Sequence, residues 1–217
     1  MYLRKQTFTR RKAFTLIELL VVMGLIALIL GGLGLALQRG SGPQLDAAQR
    51  TVASLLQATR GQAILHQTEA RLLVAAENPP HHHKRPKKLN YFLIVKRDTD
   101  GQWVPVNDGK HLHQNVFLVP ENNSENTSLF AHWNGVARYS NISAEELEVA
   151  GFPDIQQWYG IAYDHRGILQ NAPPDLEIIL GEGRQRGPRE IVFANERSTR
   201  GIVLRRVGTY SLFRPFE

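Results

Sequence analysis

The sequence predicts an α+β protein, with a long N-terminal helix, membrane-spanning in its first half and amphipathic in its second, packed on an antiparallel β-sheet domain. Three observations predict it. Residues 14–37 are 24 positions whose only formal charge is Glu18. Over residues 45–76 the apolar positions Leu45, Ala48, Val52, Leu55, Leu56, Ala63, Leu73 and Val74 fall mostly three and four apart, the spacing of a helix with one buried face. Beyond Pro79-Pro80 come short apolar runs bounded by turn residues, and helix first, strands afterwards is an α+β order.

The first stretch sets the topology. As a helix, residues 14–37 would rise about 36 Å, enough to cross a hydrocarbon core of about 30 Å with some tilt. A carboxylate in such a span is costly and marks a functional partner. Residues 1–13 carry Arg4, Lys5, Arg10, Arg11 and Lys12 and no acid, which keeps this end cytoplasmic and sends the remainder outward. Gly31, Gly32 and Gly34 weaken the helix by about 1 kcal/mol each relative to Ala, and small residues also let helices approach closely.

Ala13-Phe14-Thr15-Leu16-Ile17-Glu18, after a basic leader and before a long apolar run, resembles the N-terminus of type IV prepilins and type II secretion pseudopilins. In that family the cut falls after a small residue, usually Gly and here Ala13, and Glu is the fifth residue of the processed chain; counting from Phe14 reaches Glu18. The resemblance implies cleavage between Ala13 and Phe14 by a prepilin peptidase, N-methylation of Phe14 by the same peptidase/methyltransferase, and assembly through Glu18. Its implied partners are other pilins or pseudopilins in a filament, an inner-membrane assembly platform and membrane lipid. The implied location is the bacterial inner membrane, single-pass, with the C-terminal domain periplasmic until the subunit is extracted into a pilus or pseudopilus. An ordinary secretory signal has a shorter apolar core with its cut behind it, and a plain single-pass anchor does not explain Glu18.

The implied organisation is a cleaved leader at 1–13, a transmembrane and filament-core helix at 14–39, an amphipathic helix at 40–78 continuing into the globular domain, and a β-rich domain at 79–217. Losing the leader removes five of 26 basic residues and leaves 21 against 20 acidic ones, so the net charge falls from +6 to +1. The high pI therefore reports the leader more than a nucleic-acid surface. About 180 residues follow the apolar stretch, enough for one cored domain. Zero cysteines exclude disulfides, thiol nucleophiles and thiolate zinc sites.

Taken in order, Gly40-Ser41-Gly42-Pro43 is a break before the amphipathic helix, with Pro43 suited to its first turn. Asn78-Pro79-Pro80 ends that helix, and His81-His82-His83-Lys84-Arg85-Pro86-Lys87-Lys88 reads as a solvated basic loop, though its histidines suit a metal and its cations phosphates. Strands are expected at 91–96, at 103–106 on an edge because of Pro105, and at 116–119. Residues 121–128 contain no apolar side chain and read as a loop, residues 129–139 have no clear period, and 144–149 read as one or two helical turns capped by Ser143. Residues 158–169 read as a hairpin turning at Asp164-His165-Arg166-Gly167. Further strands are expected at 176–180, 190–194 and 201–207, the last continued at 209–213.

This C-terminal order also resembles the minor pseudopilin H group and its pilus-system relatives. Tyr163-Asp164-His165-Arg166-Gly167 matches an aromatic-Asp-x-x-Gly hairpin. After it come Ile178-Ile179-Leu180, then Ile191-Val192-Phe193-Ala194-Asn195, and finally Gly201-Ile202-Val203-Leu204-Arg205 as a closing strand that begins at Gly and contains Arg. The resemblance implies a minor subunit, with a divergent major pseudopilin as the alternative.

Catalytic chemistry has no comparable marker. Residues 181–187, Gly-rich but without the Gly-Lys-Ser/Thr ending of a phosphate loop, read as a loop. His111 and His113 fall on one face of a strand, with His132 as a third metal ligand, yet paired strand histidines are more often unliganded. Asp164-His165 lacks a Ser partner and is explained by its turn. No cofactor, metal or enzymatic activity is expected. Arg184, Arg186, Arg189, Arg197, Arg200, Arg205 and Arg206 outnumber the nearby Glu182, Glu190 and Glu196. A nucleic-acid patch centred on Arg184, Arg186, Arg189, Arg205 and Arg206, serving DNA uptake, is therefore the second reading. It would be electrostatic, since no aromatics are interleaved for stacking.

Overall fold

The computed structural model describes residues 16–37, 42–79, 87–121, 127–130, 133, 138–170, 173–186 and 190–215; the side chains of 28–37, 127 and 190 are not described. The chain divides into two compact units, residues 1–40 and 41–217. In the first, α1 (Leu16–Leu37) is a helix of 22 residues with Glu18 in its first turn.

The second unit begins with α2 (Gly42–His66). Its buried residues Leu45, Ala48, Gln49, Val52, Ala53, Leu56, Thr59 and Ala63 repeat at three and four and so form one stripe. Eleven strands follow: β1 (Ala70–Ala75), β2 (Tyr91–Arg97), β3 (Trp103–Pro105), β4 (Lys110–His111), β5 (Val116–Leu118), β6 (Ala144–Glu146), β7 (Gln157–Tyr163), β8 (Asp175–Arg186), β9 (Glu190–Phe193), β10 (Thr199–Arg205) and β11 (Tyr210–Phe213). They make two antiparallel sheets. One has the order β3-β2-β1-β7-β6 with β4 also on β2; the other has β11-β10-β8-β5 with β9 also on β8.

The helix expected over 45–76 ends ten residues early. His66 is its last residue, Gln67 takes a left-handed φ of 52°, and the amides of Gln67 and Thr68 donate to the carbonyls of Ile64 and Ala63. This is a Schellman ending in which Gln fills the place usually taken by Gly. Leu73 and Val74 belong instead to β1, the central strand of its sheet, between β2 and β7. Leu72 and Val74 enter the core beneath α2, whereas Leu73 and Ala75 enter a second core on the opposite face. A strand buried on both faces is a continuous apolar run, which periodicity does not separate from a helix.

Two other expectations change. Residues 144–146 are a strand, β6, that pairs with the edge of β7, where Glu145 reaches Arg71 at 2.7 Å. Residues 181–186 are not a loop: they extend β8, with 181–182 on β5 and 183–186 on β9. Gly181 and Gly183 are small because side chains crowd them; a Cβ on Gly181 would lie 2.8 Å from Val119, and one on Gly183 3.1 Å from Phe117. The strands expected at 91–96, 103–106, 116–119, 190–194 and 201–207 are present, and Pro105 lies on the edge strand β3. Residues 210–213 do not continue β10 but fold back antiparallel to it. The loop reading of 121–128 falls largely outside the described residues, and Thr127–Phe130 is a short 3-10 helix.

The main core lies between α2 and both sheets, with Leu56, Leu72, Phe92, Ile161, Ile178 and Ile202 among its members. Polar side chains pin α2 at three levels. Asp46 accepts from Arg200 Nε, which holds the Asp46 carboxyl below its ordinary value. Gln49 Nε2 donates to the carbonyls of Gly201 (2.7 Å) and Phe213 (3.2 Å), and Arg60 Nε to that of Gly167 (3.1 Å). Leu56→Ala should lower the free energy of unfolding by about 2–5 kcal/mol, the range for a buried Leu truncation, read as a lower urea midpoint with unchanged slope.

Candidate functional site

Over residues 16–27 the helix α1 is apolar on its exposed surface apart from Glu18. Leu16, Ile17, Leu19, Leu20, Val21, Val22, Met23, Leu25 and Ile26 are all exposed, from 45% at Val22 to 82% at Leu16. Nine consecutive or near-consecutive large apolar side chains on a helical surface require an apolar environment or other helices around them. Glu18 is the one acid in that surface. Ala13 and Phe14 lie outside the described residues, as do most of the leader's neighbours. No helix of the described residues is long and apolar enough to cross a membrane; the expected 14–39 span includes side chains beyond that description.

In the second unit the Asp164 turn is built as expected. Gly167, at φ 76°, donates its amide to the Asp164 carbonyl at 2.8 Å. Asp164 Oδ1 accepts the amides of Arg166 and Ile168, both at 2.9 Å, and Oδ2 accepts Arg166 Nη2 at 2.9 Å. Burial pushes this carboxyl up, but the Ile168 amide and the Arg166 guanidinium outweigh it and hold it below its ordinary value. The return arm is shorter than a strand, a single bridge from Leu169 to Tyr163. The turn rests on α2, with Arg60 and Ile64 against Gly167. Its role is structural.

The described arginines of the expected patch lie apart, in two groups. Arg184 and Arg186 lie at the far end of β8, whereas Arg205 faces Asp175 at its beginning; nine strand residues, about 30 Å, separate Arg184 from that point. Arg200 is turned inward to Asp46, Arg205 and Arg206 are exposed at the β10–β11 turn, and Arg189 lies outside the described residues. Among the described residues the histidines do not converge either. His111 Nδ1 is 3.2 Å from Asn90 Oδ1 and its ring packs 4.9 Å from that of Tyr91. His113 is exposed, and His81, His82, His83 and His132 lie outside the described residues. No group of three metal-binding side chains occurs among the described residues.

Sequence reasoning missed two features of this unit. Arg71 joins Glu69 (2.8 Å) to Glu145 (2.7 Å) and lies 4.5 Å from the Trp103 ring centroid. Asp46 meets Arg200 across 154 positions. Neither has a local signal, since each depends on strands that the chain brings together only on folding.

Residues 8–34 match the family model described as the prokaryotic N-terminal methylation motif. No curated protein matches the chain. Among solved structures, the chain is similar to the minor pseudopilin EpsH of the type 2 secretion system of Vibrio cholerae, at 9% identity over 80% of this chain and 99% of that one, with a TM-score of 0.43. A second structure of the same pseudopilin gives 9%, 81%, 99% and 0.44. The type IV minor pilin FimU of Pseudomonas aeruginosa is similar at 12% identity over 81% of this chain and 92% of that one, with a TM-score of 0.42.

Asp164→Ala should cost about 1.5–3 kcal/mol at neutral pH, the range for hydrogen bonds to a charged group. Because the folded value is depressed, this stabilisation is complete above roughly pH 4 and lost as pH falls through the folded value. Urea denaturation of the two proteins should therefore converge on acidification. The N-terminal segment, in contrast, is identified by its match: the chain carries the prokaryotic N-terminal methylation motif ahead of an α+β unit.

Proposed function

We propose that the chain is a non-catalytic subunit, of the minor type, of a type II secretion pseudopilus or type IV pilus. The observation that carries this reading is the match of residues 8–34 to the N-terminal methylation motif, with Glu18 as the fifth residue from Phe14. The precursor sits in the inner membrane with its leader in the cytoplasm and its second unit outside. A prepilin peptidase cuts between Ala13 and Phe14, and the new amine is methylated.

Cleavage creates a new cation for Glu18. A carboxylate within packed apolar helices loses several kcal/mol of hydration unless a cation lies beside it. The Phe14 amine of an adjacent subunit is such a cation, exists only after the cut, and keeps its charge when methylated. Register between subunits then follows from one ion pair in an otherwise featureless apolar surface. Before assembly, lipid covers that surface; on the assembly platform, neighbouring subunits replace it.

Two measurements test this. Mass spectrometry of the membrane-extracted protein should find an N-terminal peptide beginning at methylated Phe14, and an intact Met1 would instead indicate a plain anchor. Glu18→Leu should leave insertion and cleavage unchanged and reduce recovery in sheared filaments at least about tenfold, the effect of losing one ion pair worth 1.4 kcal/mol or more. Undiminished recovery would sink the pairing.

A further inference from the structure

On the face of the first sheet turned away from α2, Gln102 and the loop after β6 line an open groove of about 940 Å³. Leu147 and Pro153 give it an apolar floor above the buried Val149 and Phe152, and Glu146 and Glu148 stand on its rim. The whole stretch from 139 to 164 holds five carboxylates and no Lys or Arg. Two of the five are satisfied, Glu145 by Arg71 and Asp164 by Arg166. Glu146, Glu148 and Asp154 are exposed and have no ion-pair partner among the described residues.

The complementary charge lies at the β10–β11 turn of the same chain. Arg205, Arg206 and Val207 project there, and Val207 is 59% exposed, a large apolar side chain between two cations. The turn is tightly held: the Gly208 amide donates to the Arg205 carbonyl at 2.7 Å and the Arg205 amide to that of Thr209 at 2.8 Å. Gly208 sits at φ 79°, with the Arg60 stem against it. Such a knob loses little entropy on docking.

No residue of the second sheet lines the groove, so a knob in it must come from another molecule. We infer that the Arg205-Arg206-Val207 turn of one copy seats in the acidic groove of a second copy. Val207 meets the apolar floor, and the two arginines face Glu146 and Glu148. The proposed seating uses one knob and one groove per pair and leaves a free knob on one copy and a free groove on the other, so it repeats along a row. Exposed ion pairs contribute little affinity each; complementary charge here selects partner and register. The contact uses the second unit alone and stands whether or not the chain is cut before Phe14.

The chain has no cysteine, so introduced pairs report the contact cleanly. Full-length protein in detergent carrying both Ala150→Cys and Val207→Cys should give a ladder of dimers, trimers and larger species on mild oxidation. A mixture of the two single variants should stop at dimers. Arg205→Glu with Arg206→Glu should cut the crosslinked fraction about tenfold, the equivalent of 1.4 kcal/mol, and Glu146→Arg with Glu148→Arg on the receiving copy should restore it. Thr209→Cys replaces Val207→Cys if the latter does not fold. Crosslinking of Val207→Cys alone at the yield of the mixture would mean a symmetric tip contact and overturn the proposal. So would a double variant that stays monomeric or crosslinks only to other membrane proteins, or a yield indifferent to charge reversal.

Discussion

The second unit depends on one helix having two sheets to lie against. The buried stripe of α2 meets β1 and β2 of one sheet and β8 and β10 of the other within a single core. Neither sheet could bury its inner face alone, and without cysteines the two have no covalent tie. Apolar burial supplies the driving force but little direction. Direction comes from Asp46, Gln49 and Arg60, whose partners Arg200, Gly201 and Gly167 fix both the rotation and the height of the helix. Buried amide donors misplaced by one residue would be left unsatisfied at a cost of about 1–3 kcal/mol each, so a slipped docking is selected against.

The first helix is governed by the opposite condition. It has no polar stripe to orient it and one carboxylate near its start. Apolar helices pack against lipid or each other with little preference for register, because every face is alike. A single charge breaks that degeneracy at small cost in length. Thus one unit is positioned by many hydrogen bonds to its own chain, whereas the other offers one charge in an apolar surface.

Legibility followed the range of each determining interaction. The strands 91–97 and 116–118, the edge position of Pro105 and the Asp164–Gly167 turn were readable because residues within a few positions decide them. The end of α2 was not, because Gln67 takes a left-handed conformation without the Gly that usually announces one. Gly181 and Gly183 suggested a loop when their small size serves the close approach of Val119 and Phe117 from other segments. Residues 144–146 look helical in isolation and become a strand because β7 offers an edge. At the N-terminus the pattern of leader, Glu18 and apolar run is local, which is why it was the clearest part of the functional reading. The arginines, close in sequence, were separated by the antiparallel course of β8 and β10.

The Asp46–Arg200 link carries a consequence for the order of events during synthesis. Chains leave the ribosome from the N-terminus, so α2 is complete while β10 and β11, its partners through Arg200, Gly201 and Phe213, are still more than a hundred residues from being made. Until those last strands arrive, the stripe from Leu45 to Ala63 can contact only part of its final surroundings. Long-range closure of this kind is slow. The interval in which the helix is formed but uncovered is therefore set by the length of chain still to come, and loss of the final strands would leave the oldest part of the unit without its last contacts.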